Sequence, residues 1–267
     1  MAHWTPDDIA WTVFDPTRLT PGLLAVVKAA SLVERNAGDY TAYLANIFRD
    51  DADFVATAVQ WRAEEVQHGD VLGRYAEMAD PAFDFAGCFK RFTDGYKIPI
   101  DRDTSVRGSR SGELLARCIV ETGTSSLYSA LRDATDEPVL KTICHRIAGD
   151  EFRHYKTFYR RLKAYVAQEG IGRGALAWVA VGRIREADDD ELAYAWHAAN
   201  ESPDIPYDRL RCSTAYAHAA FGVYRRPHAE RVAAMVVKAI GFDPRGWIGR
   251  LAKSFAWSKI RQRGGQT

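Results

Sequence analysis

The sequence predicts an all-α protein, and three observations carry that reading. Long stretches rich in Ala, Leu, Arg and Glu, all good helix formers, recur along the 267 residues. There is hardly a β-branched run bounded by turn signals, which is how strands announce themselves. Helix start and stop residues stand at the ends of the long apolar-periodic stretches.

A first core helix is expected over about 21–49. A second follows the acidic start Asp50, Asp51 and Asp53, runs to about Met78 and stops before Pro81. Residues 81–109, which include "GYKIPIDRD", mix Gly, Pro and aromatics and read as an irregular crossover. Ser111 is placed as the N-cap of a third helix that has Glu113 in its first turn and reaches about Ala134. A fourth covers 137–169 and ends at Gly170. Shorter helices at about 187–200, 207–224, 228–240 and 246–260 pack outside this four-helix core. Residues 1–170 therefore hold the core with an N-terminal extension, and 171–267 add helices to the same domain.

Composition limits the function. With 36 basic and 35 acidic residues the formal charge is +1, which argues against a broad nucleic-acid or membrane-binding surface but leaves room for a local patch. Cys88, Cys118, Cys144 and Cys212 are scattered without a Cys-x-x-Cys pair, so neither a disulfide framework nor a zinc or rubredoxin-type site is indicated, and a reducing cytoplasm fits. The longest apolar run, around 174–182, is too short to span a bilayer, and the acidic N-terminus does not resemble a signal peptide.

Within this frame "AEEVQHGDVL" is anomalous, because Glu64, Glu65 and His68 sit among Val59, Trp61, Val66, Val71 and Leu72. A buried carboxylate needs a partner. Glu65 and His68 stand three apart on the second helix, and Glu151 and His154 repeat the spacing on the fourth; residues at i and i+3 share a face and can chelate one ion. Glu34 lies 31 residues before Glu65, and Glu121 lies 30 before Glu151. One Glu from each of two helices plus Glu-x-x-His from each of the other two is the ligand set of ferritin-like di-iron or di-manganese bundles. Four carboxylates neutralise two divalent cations, which explains how they can be buried together. Oxygen and imidazole donors without thiolate favour iron or manganese, with zinc a possible substitute. The bland alternative is surface charge at helical spacing. Asp39 lies near Glu34 in sequence and competes with it as a ligand. His145, nine residues before His154, falls on the opposite side of the helix, and His3, His197, His218 and His228 lie outside the core helices, where surface or satisfied core roles are expected.

At this point the chain resembles a family. "WRAEEVQHGD" and "CHRIAGDEFRH" are similar to the two boxes of the soluble acyl-acyl-carrier-protein desaturases, with agreement extending to Trp61, Ala63, Glu64, Gly69 and Asp70 in the first and Ile147, Ala148, Asp150 and Arg153 in the second. A Thr one turn beyond the third-helix Glu is also typical, and Thr124 follows Glu121 here. The likeness covers roughly residues 30–165 and fades in the crossover and the C-terminal hundred residues.

The resemblance implies a cytoplasmic, monomeric or homodimeric di-iron oxidoreductase that activates dioxygen against an unactivated C–H bond. Its partners would be acyl carrier protein and a ferredoxin-type electron donor. Glu65 and Glu151 would bridge two ions, with Glu34 and His68 completing one, Glu121 and His154 the other. Thr124 would hydrogen-bond a bound peroxide or relay a proton, or else bond back to its own helix. Ligating imidazoles donate their second N–H to an acceptor, and the pseudo-symmetry assigns Asp150 to His68 and Glu64 to His154. Arg102, Arg107, Arg110 and Arg117 either meet an acidic carrier or are a solvated charge run. A hydroxylase on a small molecule or modified tRNA would share every ligand. An iron-storage or peroxide-detoxifying protein such as a bacterioferritin or rubrerythrin fits less well, given the extra length, the lack of a rubredoxin-like cysteine module, and Val66 where a haem-binding bacterioferritin carries Met.

Overall fold

The structure, a computed structural model, describes residues 3–185 and 190–266. Among them the regular elements are all helical, with no strand. Three 3-10 turns, Pro6–Asp8, Trp11–Val13 and Pro16–Arg18, lead into α1 (Pro21–Arg35) and α2 (Ala37–Ile47). A single helix was expected over this stretch. The chain instead breaks at Asn36, where Asn36 and Gly38 are both poor helix formers and the Asn36 N–H is shared between the Leu32 and Val33 carbonyls.

α3 (Ala52–Ala79) starts at Asp51, whose carboxylate accepts the Phe54 N–H. The expected irregular crossover contains α4 (Phe85–Gly95), capped by Asp84 through the Gly87 N–H. α5 (Arg110–Ala134) is capped by Ser109 rather than Ser111: Ser109 is extended and accepts the Gly112 N–H, while Ser111 is buried within the first turn. α6 (Pro138–Glu169) opens on Glu137, fully buried, whose carboxylate takes the N–H groups of Val139 and Leu140. It closes at Gly170, whose φ of 66° is the left-handed conformation that favours glycine.

α7 (Arg173–Arg185) was not anticipated as a helix, because Gly174, Gly182, Val179 and Val181 weaken its propensity. Then come α8 (Asp190–Asn200), α9 (Arg209–Gly222), α10 (Arg226–Ile240) and α11 (Trp247–Arg263). The expected start of α8 at Ala187 lies outside the described residues.

Side-chain pairs fix the bundle. α5 and α6 run antiparallel, since Arg110 and Ser111 meet Glu169 at one end while Ser125 meets Ala148 further along. α1 and α3 do likewise, with Lys28 against Asp80 and Arg35 against Asp70. α3 and α6 join the two pairs, and Asp51 meets Tyr165 at one end while His68 meets Asp150 further along. α8 packs on α1, where Asn200 donates to the Ala25 carbonyl, and α10 on α5, where Ser126 donates to the His228 carbonyl. One apolar cluster runs from Val26, Leu72 and Ile147 of the bundle into Ala195, Tyr216 and Ala220 of the C-terminal helices. The C-terminal helices thus share the core of the bundle. No helix of the described residues is long and apolar enough to cross a membrane.

Candidate metal centre

Four helices each deliver part of one buried polar cluster. α1 brings Glu34, α3 brings Glu65 and His68, α5 brings Glu121, and α6 brings Glu151 and His154. None of the six is more than 7% exposed, so bulk water does not satisfy them. Single donor atoms of Glu34, Glu65, His68 and Glu151 lie within 4.8 Å of one another, and so do those of Glu65, Glu121, Glu151 and His154. Glu65 and Glu151 belong to both groups. Asp39 belongs to neither.

The inward-facing atoms are orphaned. Glu34 Oε2, Glu65 Oε1, His68 Nδ1, Glu121 Oε2, Glu151 Oε1 and His154 Nδ1 are buried and make no hydrogen bond. Yet His68 Nδ1 is 3.2 Å from Glu151 Oε1 and 3.5 Å from Glu34 Oε2. His154 Nδ1 is 3.0 Å from Glu65 Oε1 and 3.4 Å from Glu121 Oε2. Native interiors rarely leave buried polar atoms unpaired, and one unpaired atom from each of six side chains, all converging, fits a pair of bound cations.

The outward-facing imidazole nitrogens are satisfied. His68 Nε2 lies 3.1 Å from Asp150 Oδ2 and His154 Nε2 lies 2.7 Å from Glu64 Oε2, the two pairings that the pseudo-symmetry predicts. Each carboxylate would hold its imidazole with N–H at Nε2 and the lone pair at Nδ1, facing the cluster. Arg153 bridges the two carboxylates, at 2.7 Å to Asp150 Oδ1 and 2.6 Å to Glu64 Oε2. The Thr124 hydroxyl donates to Glu151 Oε2 at 2.5 Å and also lies within reach of the Val120 and Glu121 carbonyls, so it both touches a carboxylate of the cluster and bonds back toward its own helix.

Sequence reasoning missed three neighbours. Tyr128 donates to Glu34 Oε1 at 2.6 Å; it lies two helical turns beyond Glu121 on the same face, a signal that was available. Trp4 stacks on the His68 ring with an interplanar angle of 8° and donates its indole N–H to Asp150 Oδ2 at 2.6 Å. His3 sits 3.2 Å from Arg153. Nothing local in the sequence announces Trp4 or His3, because their contacts span about half the chain.

Without metal, protons take over part of the charge balance. Burial and the adjacent Glu151 and Glu34 push the Glu65 carboxyl well above the usual carboxylate range, and burial with Glu34 pushes Glu151 up to about 7. Burial opposes charge on both imidazoles, yet Asp150, Glu151 and Glu34 lift His68 well above its usual value, and Glu121, Glu64 and Glu65 do the same for His154. Despite partial burial, Asp150 is held down at about 2 by His68, and Glu64 at about 2 by His154 and Arg153.

A pH dependence of the metal-free protein follows. An ordinary glutamate titrates near 4.5 and the folded Glu151 near 7, so the native state holds its proton more tightly; that stability is complete below 4.5 and lost as pH rises through 7. Asp150 and Glu64, both depressed, lose their contribution only in more acid solution. Metal-free protein is expected to melt about 5 °C lower at pH 8 than at pH 5.5. Differential scanning calorimetry after chelation checks this, and a melting temperature that rises across the window contradicts it.

The remaining polar groups are elsewhere. His197 pairs with Glu201 and His228 with Asp133, and both are buried, while His145 and His218 are exposed. His197, Glu201 and Cys212 could also converge on an ion, but the Arg211 guanidinium already pairs with Glu201 at 2.8 Å. The four arginines near the start of α5 do not form one exposed patch: Arg102 is exposed, Arg110 pairs with Asp50, and Arg117 is buried against the Tyr40 ring. A cleft of about 330 Å³, lined by Arg107, Ile171, Leu176 and Trp178 among others, shares no residue with the cluster. The chain matches no protein-family model and no curated protein sequence.

Proposed function

We propose that the protein is an oxygen-dependent di-metal oxidoreductase on a ferritin-like four-helix bundle, and that it acts on an unactivated C–H bond of a fatty acyl chain presented by acyl carrier protein. The observation that carries the metal reading is the convergence of six buried, unpartnered donor atoms from four helices. The acyl substrate and a ferredoxin-type donor come from the sequence resemblance around both boxes.

Glu34 and His68 would hold one ion, Glu121 and His154 the other, and Glu65 and Glu151, which belong to both groups, would be shared. Nitrogen and oxygen donors of this kind suit iron, with manganese or zinc as substitutes. When bound, the metal pair would supply the activation of dioxygen needed to attack a C–H bond with no polar handle. The chain's own work is positional. Asp150 and Glu64 fix the imidazoles, Arg153 locks those two carboxylates to each other, and Trp4 covers His68. Thr124 keeps a hydroxyl proton against the shared Glu151, where it can be passed to or withheld from the centre.

Asp150→Asn is expected to fold normally and to retain metal roughly ten- to hundredfold less tightly, as is usual when a carboxylate behind a ligating histidine is lost. Competition with a chelator measures this, and unchanged retention would remove Asp150 from the centre. The function itself is tested by incubating iron-loaded protein with ferredoxin, its reductase, oxygen and acyl carrier proteins of varied chain length, with mass spectrometry of the products. A chain lighter by two hydrogens supports desaturation. A gain of one oxygen makes the protein a hydroxylase, and oxygen or peroxide consumption with unaltered chains makes it a detoxifying protein.

A further inference from the structure

The near balance of charge over the whole chain hides a local asymmetry at its C-terminal end. α11 carries Arg250, Lys253, Lys259, Arg261 and Arg263 and not one acidic residue. The rest of the chain is therefore net acidic, since the formal total is only +1.

The helix also carries large apolar side chains on its outer face. Trp247, Leu251 and Phe255, four apart and so advancing only about 40° per step, make one stripe along the surface. They are 66%, 61% and 60% exposed. On the opposite face Gly249 is buried and Ala256 and Ile260 are half-buried, Ile260 against the apolar core, and α11 packs on α10. A helix serving only to cover the core would keep its large apolar side chains on that inner face alone. Arg250, Lys259 and Arg261 flank the stripe and are exposed, with Lys259 Nζ 5.8 Å from the Phe255 ring centre. α7, which packs on the same α10, repeats the pattern: exposed Trp178, Val181 and Ile184, three arginines and no acid.

We infer that α11 is a docking face for the surface of a lipid bilayer bearing anionic headgroups, lying in the plane of the interface. The aromatic and aliphatic stripe matches the boundary between headgroups and acyl chains, and the flanking cations match the headgroup charge. A second copy of this chain is a poor occupant, because a two-fold contact would set two acid-free basic helices against each other.

Sedimentation with sucrose-loaded vesicles tests this, comparing phosphatidylcholine alone with a mixture containing phosphatidylglycerol, using metal-loaded full-length protein. The parent is expected to bind the anionic vesicles only, and more than about tenfold less tightly in high salt. Two surface variants, Trp247→Ser/Leu251→Ser/Phe255→Ser and Arg250→Glu/Lys259→Glu/Arg261→Glu, are each expected to bind at least about tenfold less tightly, with unchanged circular dichroism, melting temperature and metal content. Equal binding of parent and variants overturns the inference, as does no binding to anionic vesicles. A parent dimer that the serine variant dissolves would give the face to a second copy, and vesicle-independent capture of acyl carrier protein through the same residues would give it to an acidic protein; both outcomes also overturn it.

Discussion

Glu151→Gln is expected to lose both metal ions and, once metal-free, to melt higher than the metal-free parent. Both effects come from one side chain. Glu151 offers an oxygen to each of the two donor groups, so its loss weakens both ions rather than one. In the metal-free state that carboxylate stands beside Glu34 and Glu121, and it helps to push Glu65 above its usual range. Glutamine keeps the shape and removes the like charge. The expected gain is about 1–2 kcal/mol at neutral pH, or roughly 3–6 °C in melting temperature. Metal analysis and thermal unfolding of chelated protein check the two halves separately. A glutamate with a purely structural role would show the reverse, a lower melting temperature for the variant.

The second large effect is expected at Gly69, next to His68. A Cβ there would lie 2.6 Å from the Arg35 backbone nitrogen and 2.8 Å from its Cα, so α1 itself would have to move. No flexible side chain can absorb the clash. Because Arg35 follows Glu34 directly, displacing α1 also displaces a donor of the cluster. Gly69→Ala is expected to cost about 2–4 kcal/mol in denaturant unfolding. Chelator competition should show at least about tenfold weaker metal retention, since ligand sets tolerate errors of only about half an ångström. A variant with parental stability and metal content would show that the close approach of α1 and α3 is not what sets the site.

The candidate site was unusually legible because its logic is local. Glu65 with His68 and Glu151 with His154 show in any short window, and helical spacing alone puts each pair on one face. Glu34 rested on a count between helices, and the fold places it in the cluster while leaving Asp39 out. What stayed hidden was long-range or depended on weak propensities. The break at Asn36 was masked by apolar periodicity that continues through it. α4 lay within a segment rich in Gly and aromatics, although Asp84 followed by Phe85, Phe89 and Phe92 was a readable cap and apolar face. Trp4 reaches Asp150 from 146 residues away, and no sequence window contains both.

Metal content bears most directly on the proposed centre. Protein produced in iron-supplemented medium and purified without chelators should contain close to two metal ions per chain, with X-ray absorption placing them roughly 3.5–4 Å apart. Glu151→Gln, prepared in parallel, should contain almost none. Protein that takes up no metal even when reduced iron is added without oxygen, or a variant that retains as much as the parent, would contradict the assignment of Glu34, Glu65, His68, Glu121, Glu151 and His154 as ligands.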